Sequence, residues 1–154
     1  MDFELSDVQR LLQETFARVS DERVIPLAQK IDEAEQYPRE LISELATMGF
    51  LGLRYPESVG GSGMDCVSYC LAIEEIARGS MSLAACAAMQ SLMGTHFVHK
   101  LGNEEIHERL LKPALNGEKL GTICITEPNA GSDLGSISTA AEKVEGGYQL
   151  TGQK

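Results

Sequence analysis

Residues 124–136 read CITEPNAGSDLGS, and this run decides how the chain is understood. It closes a longer stretch, LGTICIT at 120–126, which is rich in β-branched residues and too short for a helix. That stretch is predicted to be a strand. Pro128 ends it, and Asn129, Gly131, Ser132 and Asp133 are turn formers. Glycine allows close approach of a ligand to the backbone, and successive amides can form an anion-binding nest. Thr126 and Ser132 bring hydroxyls to the same loop. Glu127 and Asp133 suit acid/base work, metal ligation or bracing of the loop. On residue chemistry alone, a ligand loop and an ordinary tight turn both remain open.

Downstream of this run, residues 138–144 and 148–150 flank Gly146-Gly147 and predict a hairpin. Three strands make a small sheet with exposed edges, so the β part is expected to be incomplete here. Upstream the pattern is helical. Ser6 and Gln9 have capping-box spacing, and Val8, Leu11, Leu12, Thr15, Phe16 and Val19 form one apolar stripe. This helix is expected to run to about Val24, with Pro26 kinking or ending it. Tyr37-Pro38 opens a second helix with Leu41, Ile42, Leu45 and Met48 inward, stopped by Gly49. Residues 50–64 carry Pro56, Gly60, Gly61 and Gly63 and read as loop. A third helix at about 65–78 presents Val67, Cys70, Leu71, Ile73 and Ile76. Ser80 caps a fourth, about 81–100, and Gly102-Asn103 separates it from a fifth, about 104–116, with Ile106, Leu110, Leu111 and Leu115.

The fold class that follows is mainly α. An N-terminal helical domain of about five helices, residues 1–117, precedes the first strands of an incomplete β-domain, residues 118–154. The chain has 154 residues, with 13 Lys+Arg against 23 Asp+Glu and a formal net charge of −10. That surface repels polyanions, so no nucleic acid and no anionic bilayer is expected as a partner. The four cysteines form no CxxC pair and read as buried thiols in a reducing compartment. The N-terminal MDFELSDVQ has neither a basic region followed by an apolar one nor the Arg-rich character of a transit peptide. Residues 79–98 carry no formal charge, but their apolar run, 83–89, is short; a buried helix is expected there and no membrane insertion. His96, His99, Glu104 and His107 lie close in sequence without HExxH spacing and read as surface or capping groups.

The run at 124–136 resembles the first signature of the acyl-CoA dehydrogenase family. Cys124, Ile125, Thr126, Glu127, Ala130, Gly131, Ser132, Asp133 and Ser136 fill its fixed positions. PESVGGSGMD at 56–65, EEIARGS at 74–80, LGNEE at 101–105, LNGEKLG at 115–121 and YQLTGQK at 148–154 are similar to family landmarks in family order.

The resemblance implies FAD as cofactor and an acyl-CoA thioester as substrate, oxidised to the trans-2-enoyl-CoA. It implies electron-transfer flavoprotein, or a similar acceptor, as partner, and a homo-oligomer, tetramer or dimer. It places Ile123, Cys124, Ile125, Thr126, Gly131 and Ser132 against the flavin. Within that set, Ile125 and Thr126 give backbone donors, and the Thr126 hydroxyl lies near the hydride-accepting nitrogen. Ser132 touches both cofactor and substrate, and Met89, Gln90 and Met93 face the acyl group. Glu127 and Asp133 are then loop braces. The family's catalytic base lies in a C-terminal helical domain, so no catalytic residue is assigned within these 154. A cytoplasmic location is implied, or the mitochondrial matrix for a processed eukaryotic protein. A non-catalytic helical assembly or acyl-binding domain, or a flavin oxidase or monooxygenase of the same fold, is the alternative.

Overall fold

In the computed structural model, which describes residues 3–154, the chain forms two units that meet in sequence between Thr122 and Ile123. The first is all helix and loop. Helix α1 (Asp7–Val19) starts at Ser6, whose hydroxyl accepts from the Gln9 N–H while the Gln9 side chain accepts from the Ser6 N–H. This is the reciprocal cap that the spacing predicts. Phe16 is buried and Leu12 and Val19 pack against the core, but Val8 and Leu11 are more than half exposed. The buried stripe therefore begins one turn later than expected.

Pro26 does not end the helix. A π-turn at Ser20–Val24 lets the Ile25 N–H reach the Ser20 carbonyl, and α2 (Ile25–Ala34) continues with proline in its first turn. The wider turn absorbs the missing donor. Helix α3 (Arg39–Thr47) buries Leu41, Ile42, Leu45 and Ala46, while Met48 lies past its end and is 41% exposed. Gly49 follows at φ 80, the left-handed stop that glycine provides.

The Gly- and Pro-rich stretch 50–64 is loop, as predicted, yet much of it is core. Two short 3-10 turns, Phe50–Gly52 and Glu57–Val59, satisfy its backbone and let Phe50, Leu51, Leu53 and Tyr55 go inward. The Phe50 ring meets Phe16 edge-on at 5.4 Å and Tyr69 at 5.7 Å, in the range where aromatic pairs attract. Asp65 caps α4 (Cys66–Gly79), whose inward face is Ser68, Tyr69, Ala72 and Ile76. Val67 and Cys70, expected inward, are exposed. The thiols as a set are not buried: Cys66, Cys70 and Cys124 are exposed and Cys86 is half-buried.

Ser80 caps α5 (Met81–Ala88), which widens into a π-turn at Met89–Gly94 before α6 (His96–Leu101). Asn103 caps α7 (Glu104–Ile106), followed by a third π-turn at His107–Leu111 and α8 (Lys112–Leu115), with Pro113 in its first turn. Leu111 and Leu115 are buried, while Leu110 is exposed. No helix among the described residues is long and apolar enough to cross a membrane.

The helical unit reaches past residue 117 because Gln90 holds the following segment. Its buried amide donates to the carbonyls of Ala114 (3.0 Å) and Lys119 (2.9 Å) and accepts from the Gly121 N–H (2.8 Å). Gly94 and Gly121 touch backbone to backbone, so that a Cβ on either would lie within 2.5 Å of the other's carbonyl oxygen.

The second unit contains an antiparallel hairpin, β1 (Ala140–Val144) and β2 (Gly147–Thr151), with Ala140 opposite Thr151 and Val144 opposite Gly147. The turn is therefore Glu145-Gly146, one residue earlier than the Gly146-Gly147 expected. Residues 120–126 form no strand: they pair with nothing among the described residues, and a ladder needs a partner.

Candidate functional site

The run that opened the sequence reading forms two consecutive tight turns. Glu127 and Ala130 exchange both backbone hydrogen bonds, at 2.9 and 3.1 Å, around Pro128-Asn129. Asp133 then caps the 3-10 turn Leu134–Ser136, accepting from the Gly135 N–H at 3.0 Å and the Ser136 hydroxyl at 2.6 Å. Turn chemistry explains both: proline presets the first central residue, and Asp bonds its own backbone two residues on.

Glu127 anchors the unit. Its carboxylate accepts from the Ser138 N–H (2.8 Å), the Ser138 hydroxyl (2.9 Å) and the Thr139 N–H (3.0 Å), and pairs with Lys154 at 2.9 Å. The Lys154 ammonium also donates to the Ile125 carbonyl at 3.0 Å. Five short contacts thus tie both ends of the hairpin to the 125–130 turn. Hydrogen bonding from Thr139 and Ser138, reinforced by Lys154, holds the Glu127 carboxyl far below the usual carboxylate range. A carboxylate so saturated has no lone pair left for acid/base work, and Glu127 acts as a brace.

The other residues of the run are open. Ile123 and Ile125 are half-buried, while Cys124, Thr126, Gly131 and Ser132 are exposed. Among the described residues, the N–H groups of residues 123–126 and the hydroxyls of Thr126 and Ser132 have no hydrogen-bond partner. Gly131 does not have a positive φ, and a Cβ placed on it meets nothing within 4 Å. Nothing among the described residues therefore demands glycine there, and a left-handed backbone is not the reason for it.

In the helical unit, Met89 and Met93 lie on the π-turn at Met89–Gly94 and keep 46% and 39% of their surface exposed. Gln90, between them, is 3% exposed, and its amide is spent on the backbone of 114, 119 and 121. No local signal in the sequence separates its role from theirs, because its partners lie 24–31 residues away. The same π-turn is pinned by hydroxyls that sequence reasoning missed. The Tyr55 hydroxyl donates to the Ser91 carbonyl at 3.0 Å and meets the Thr95 hydroxyl at 2.6 Å, and Tyr69 meets the Ser91 hydroxyl at 2.8 Å. Burial raises the pKa of both phenols, so each is a neutral strut at physiological pH. Tyr55 was hidden in an apparent loop and Tyr69 among the apolar residues of its helix.

Comparison with known proteins places this architecture. Residues 6–118 match the family described as acyl-CoA dehydrogenase, N-terminal domain, and the chain belongs to that family. It is 62% identical over 154 residues to a benzylmalonyl-CoA dehydrogenase of Aromatoleum aromaticum, covering all of this chain and 41% of that protein. Among solved structures it is similar to a glutaryl-CoA dehydrogenase in complex with glutaryl-CoA, at 32% identity and a TM-score of 0.91, covering 99% of this chain and 39% of the other. It is also similar to the FAD complex of PigA, at 27% identity and a TM-score of 0.91, covering 99% and 40%. The chain thus spans about two fifths of the length of these relatives.

Proposed function

We propose that this chain is the amino-terminal part of an FAD-dependent acyl-CoA dehydrogenase, which oxidises an acyl-CoA thioester between its α and β carbons. Electrons would pass on to an electron-transfer flavoprotein or a similar acceptor, and the complete protein would be a homo-oligomer. The observation that carries the reading is the row of unspent donors at 123–126, ending in the exposed Thr126 hydroxyl, inside a signature whose every fixed position is filled.

The donor chemistry fits a flavin. Its pyrimidine edge presents carbonyl and ring-nitrogen acceptors, which backbone N–H groups of Ile125 and Thr126 suit. The flavin supplies the two-electron chemistry that no protein side chain offers. The chain's own task is to hold and tune it. Ile123, Cys124, Ile125 and Thr126 orient the ring, Gly131 leaves room beside the turn, and Ser132 offers a hydroxyl to cofactor and thioester. Met89 and Met93, flexible and polarisable, face the acyl group, and Gln90 holds the turn that carries them. The 62% identity to a benzylmalonyl-CoA dehydrogenase makes an aryl-substituted acyl-CoA the first substrate to try.

Thr126→Val tests the assignment in a flavin-loaded protein carrying this chain at the family's full length. Loss of one hydrogen bond to a charged group costs about 1.5–3 kcal/mol, and for a two-electron couple that lowers the flavin potential by roughly 30–60 mV. The flavin spectrum should otherwise be kept. An unchanged or raised potential would show that the hydroxyl does not meet the reduced ring.

A further inference from the structure

In the helical unit, Arg54, Tyr55, Ser91, His96, His99 and Lys100 line a cavity of about 130 Å³. Among the described residues no Asp or Glu lines it, and neither Arg54 nor Lys100 makes an ion pair. That is notable in a chain with 23 acidic residues against 13 basic ones. Arg54 instead lies over the Tyr69 ring, 5.8 Å from its centroid. The walls are fixed. The Tyr55 hydroxyl is committed to Ser91 and Thr95, and the His99 ring is held edge-on to Tyr55 at 5.1 Å and stacked on His107 at 5.8 Å.

One group is left over. The Nδ1 atom of His99 is buried and has no hydrogen-bond partner. A concavity with four basic side chains and no acid among the described residues is the complement of an anion. Its volume holds about four waters at roughly 30 Å³ each, enough for one phosphate group.

We propose that the cavity bounded by Arg54, His96, His99 and Lys100 binds a tetrahedral oxyanion, either inorganic phosphate or the phosphate of a small monoester. Arg54 and Lys100 supply charge at its mouth, and His96 and His99 supply donors.

Binding is linked to protonation. Burial, followed by Lys100, His107 and His96, holds the His99 pKa below the usual imidazole value. An anion seated among these groups and Arg54 offsets the cationic contribution, so it raises the His99 pKa. The same linkage makes the anion bind more tightly as pH falls through that range.

The test follows the imidazole protons of His96, His99 and His107 by NMR, with inorganic phosphate added at constant ionic strength. Saturable shifts at His99 and His96 are expected. Arg54→Gln with Lys100→Gln, both at exposed positions, should weaken the apparent affinity by about tenfold or more with unchanged circular dichroism. Glycerol 3-phosphate run beside phosphate identifies the source: tighter binding points to a monoester, weaker binding to the free ion. Sulfate, a dianion throughout the titration, should raise the His99 midpoint in the unmodified protein. A linear response, an equal response to chloride, an undiminished response in the double variant or an unmoved midpoint would each overturn the proposal.

Discussion

Gly131→Val is expected to empty the flavin site while leaving the fold intact. The two halves of that result have separate causes. A Cβ at Gly131 meets nothing within 4 Å and the backbone there does not have a positive φ, so the chain itself tolerates a side chain. The turn is closed by the Glu127–Ala130 pair and by Asp133, none of which uses the glycine hydrogens. Any loss must then come from what lies against the loop from outside. Three carbons placed where a cofactor's backbone contact is proposed overpack it. Overpacking of about 1–3 kcal/mol weakens flavin binding by on the order of 10- to 100-fold. Absorbance of the purified full-length protein, set beside its thermal unfolding, reads both halves. A variant that melts as the parent does and keeps full flavin content would remove Gly131 from the site.

Glu127→Gln should loosen the second unit. In the parent, both carboxylate oxygens face donors: Oε2 meets the Ser138 N–H and hydroxyl, while Oε1 meets the Thr139 N–H and Lys154. An amide presents one oxygen and one NH₂, so either orientation points donors at donors. The hairpin should open more often. Hydrogen exchange at the Ser138 and Thr139 amides should accelerate by about tenfold or more, the scale of one lost charge-assisted hydrogen bond. Acid has the same effect on the parent. The folded pKa of Glu127 is lowered, so its contribution is complete above the ordinary carboxylate value of about 4.3 and is lost as pH falls below it. Protection at these amides should be flat between pH 5 and 8, values that lie above that range, and decline at lower pH. Equal exchange in parent and variant would mean that the hairpin is held by other contacts.

How much of this was legible in the sequence depended on how local the cause was. Ser6, Ser80 and Asn103 cap the helices their spacing announced, because a cap is decided within three residues. Gly49 stops α3 for the same reason. In the run at 124–136 the turn formers and the two braces that the resemblance implies, Glu127 and Asp133, are local, and their bonds are present, whereas the strand end expected at its start is not. What failed was long-range. Pro26 suggests a kink or an end of the helix, and only the π-turn at Ser20–Val24, which leaves no residue pattern, decides that the chain continues as helix. Residues 120–126 have strand composition, but a strand exists only with a partner. Gln90 looked like a ligand contact beside two methionines, whereas its three bonds reach across to 114, 119 and 121. Phe50 and Tyr55 were hidden in a Gly-rich loop, since burial of a loop depends on its turns satisfying their own backbone.

The most direct measurement is anaerobic titration of the full-length flavoprotein carrying this chain with acyl-CoA thioesters, followed by flavin absorbance near the oxidised maximum. Benzylmalonyl-CoA, glutaryl-CoA and butyryl-CoA make a fair panel. The account predicts that at least one bleaches the oxidised flavin band within the mixing time or over minutes, with the matching enoyl-CoA as product. A protein that binds FAD stoichiometrically, yet keeps its oxidised spectrum with every thioester tried, would contradict it.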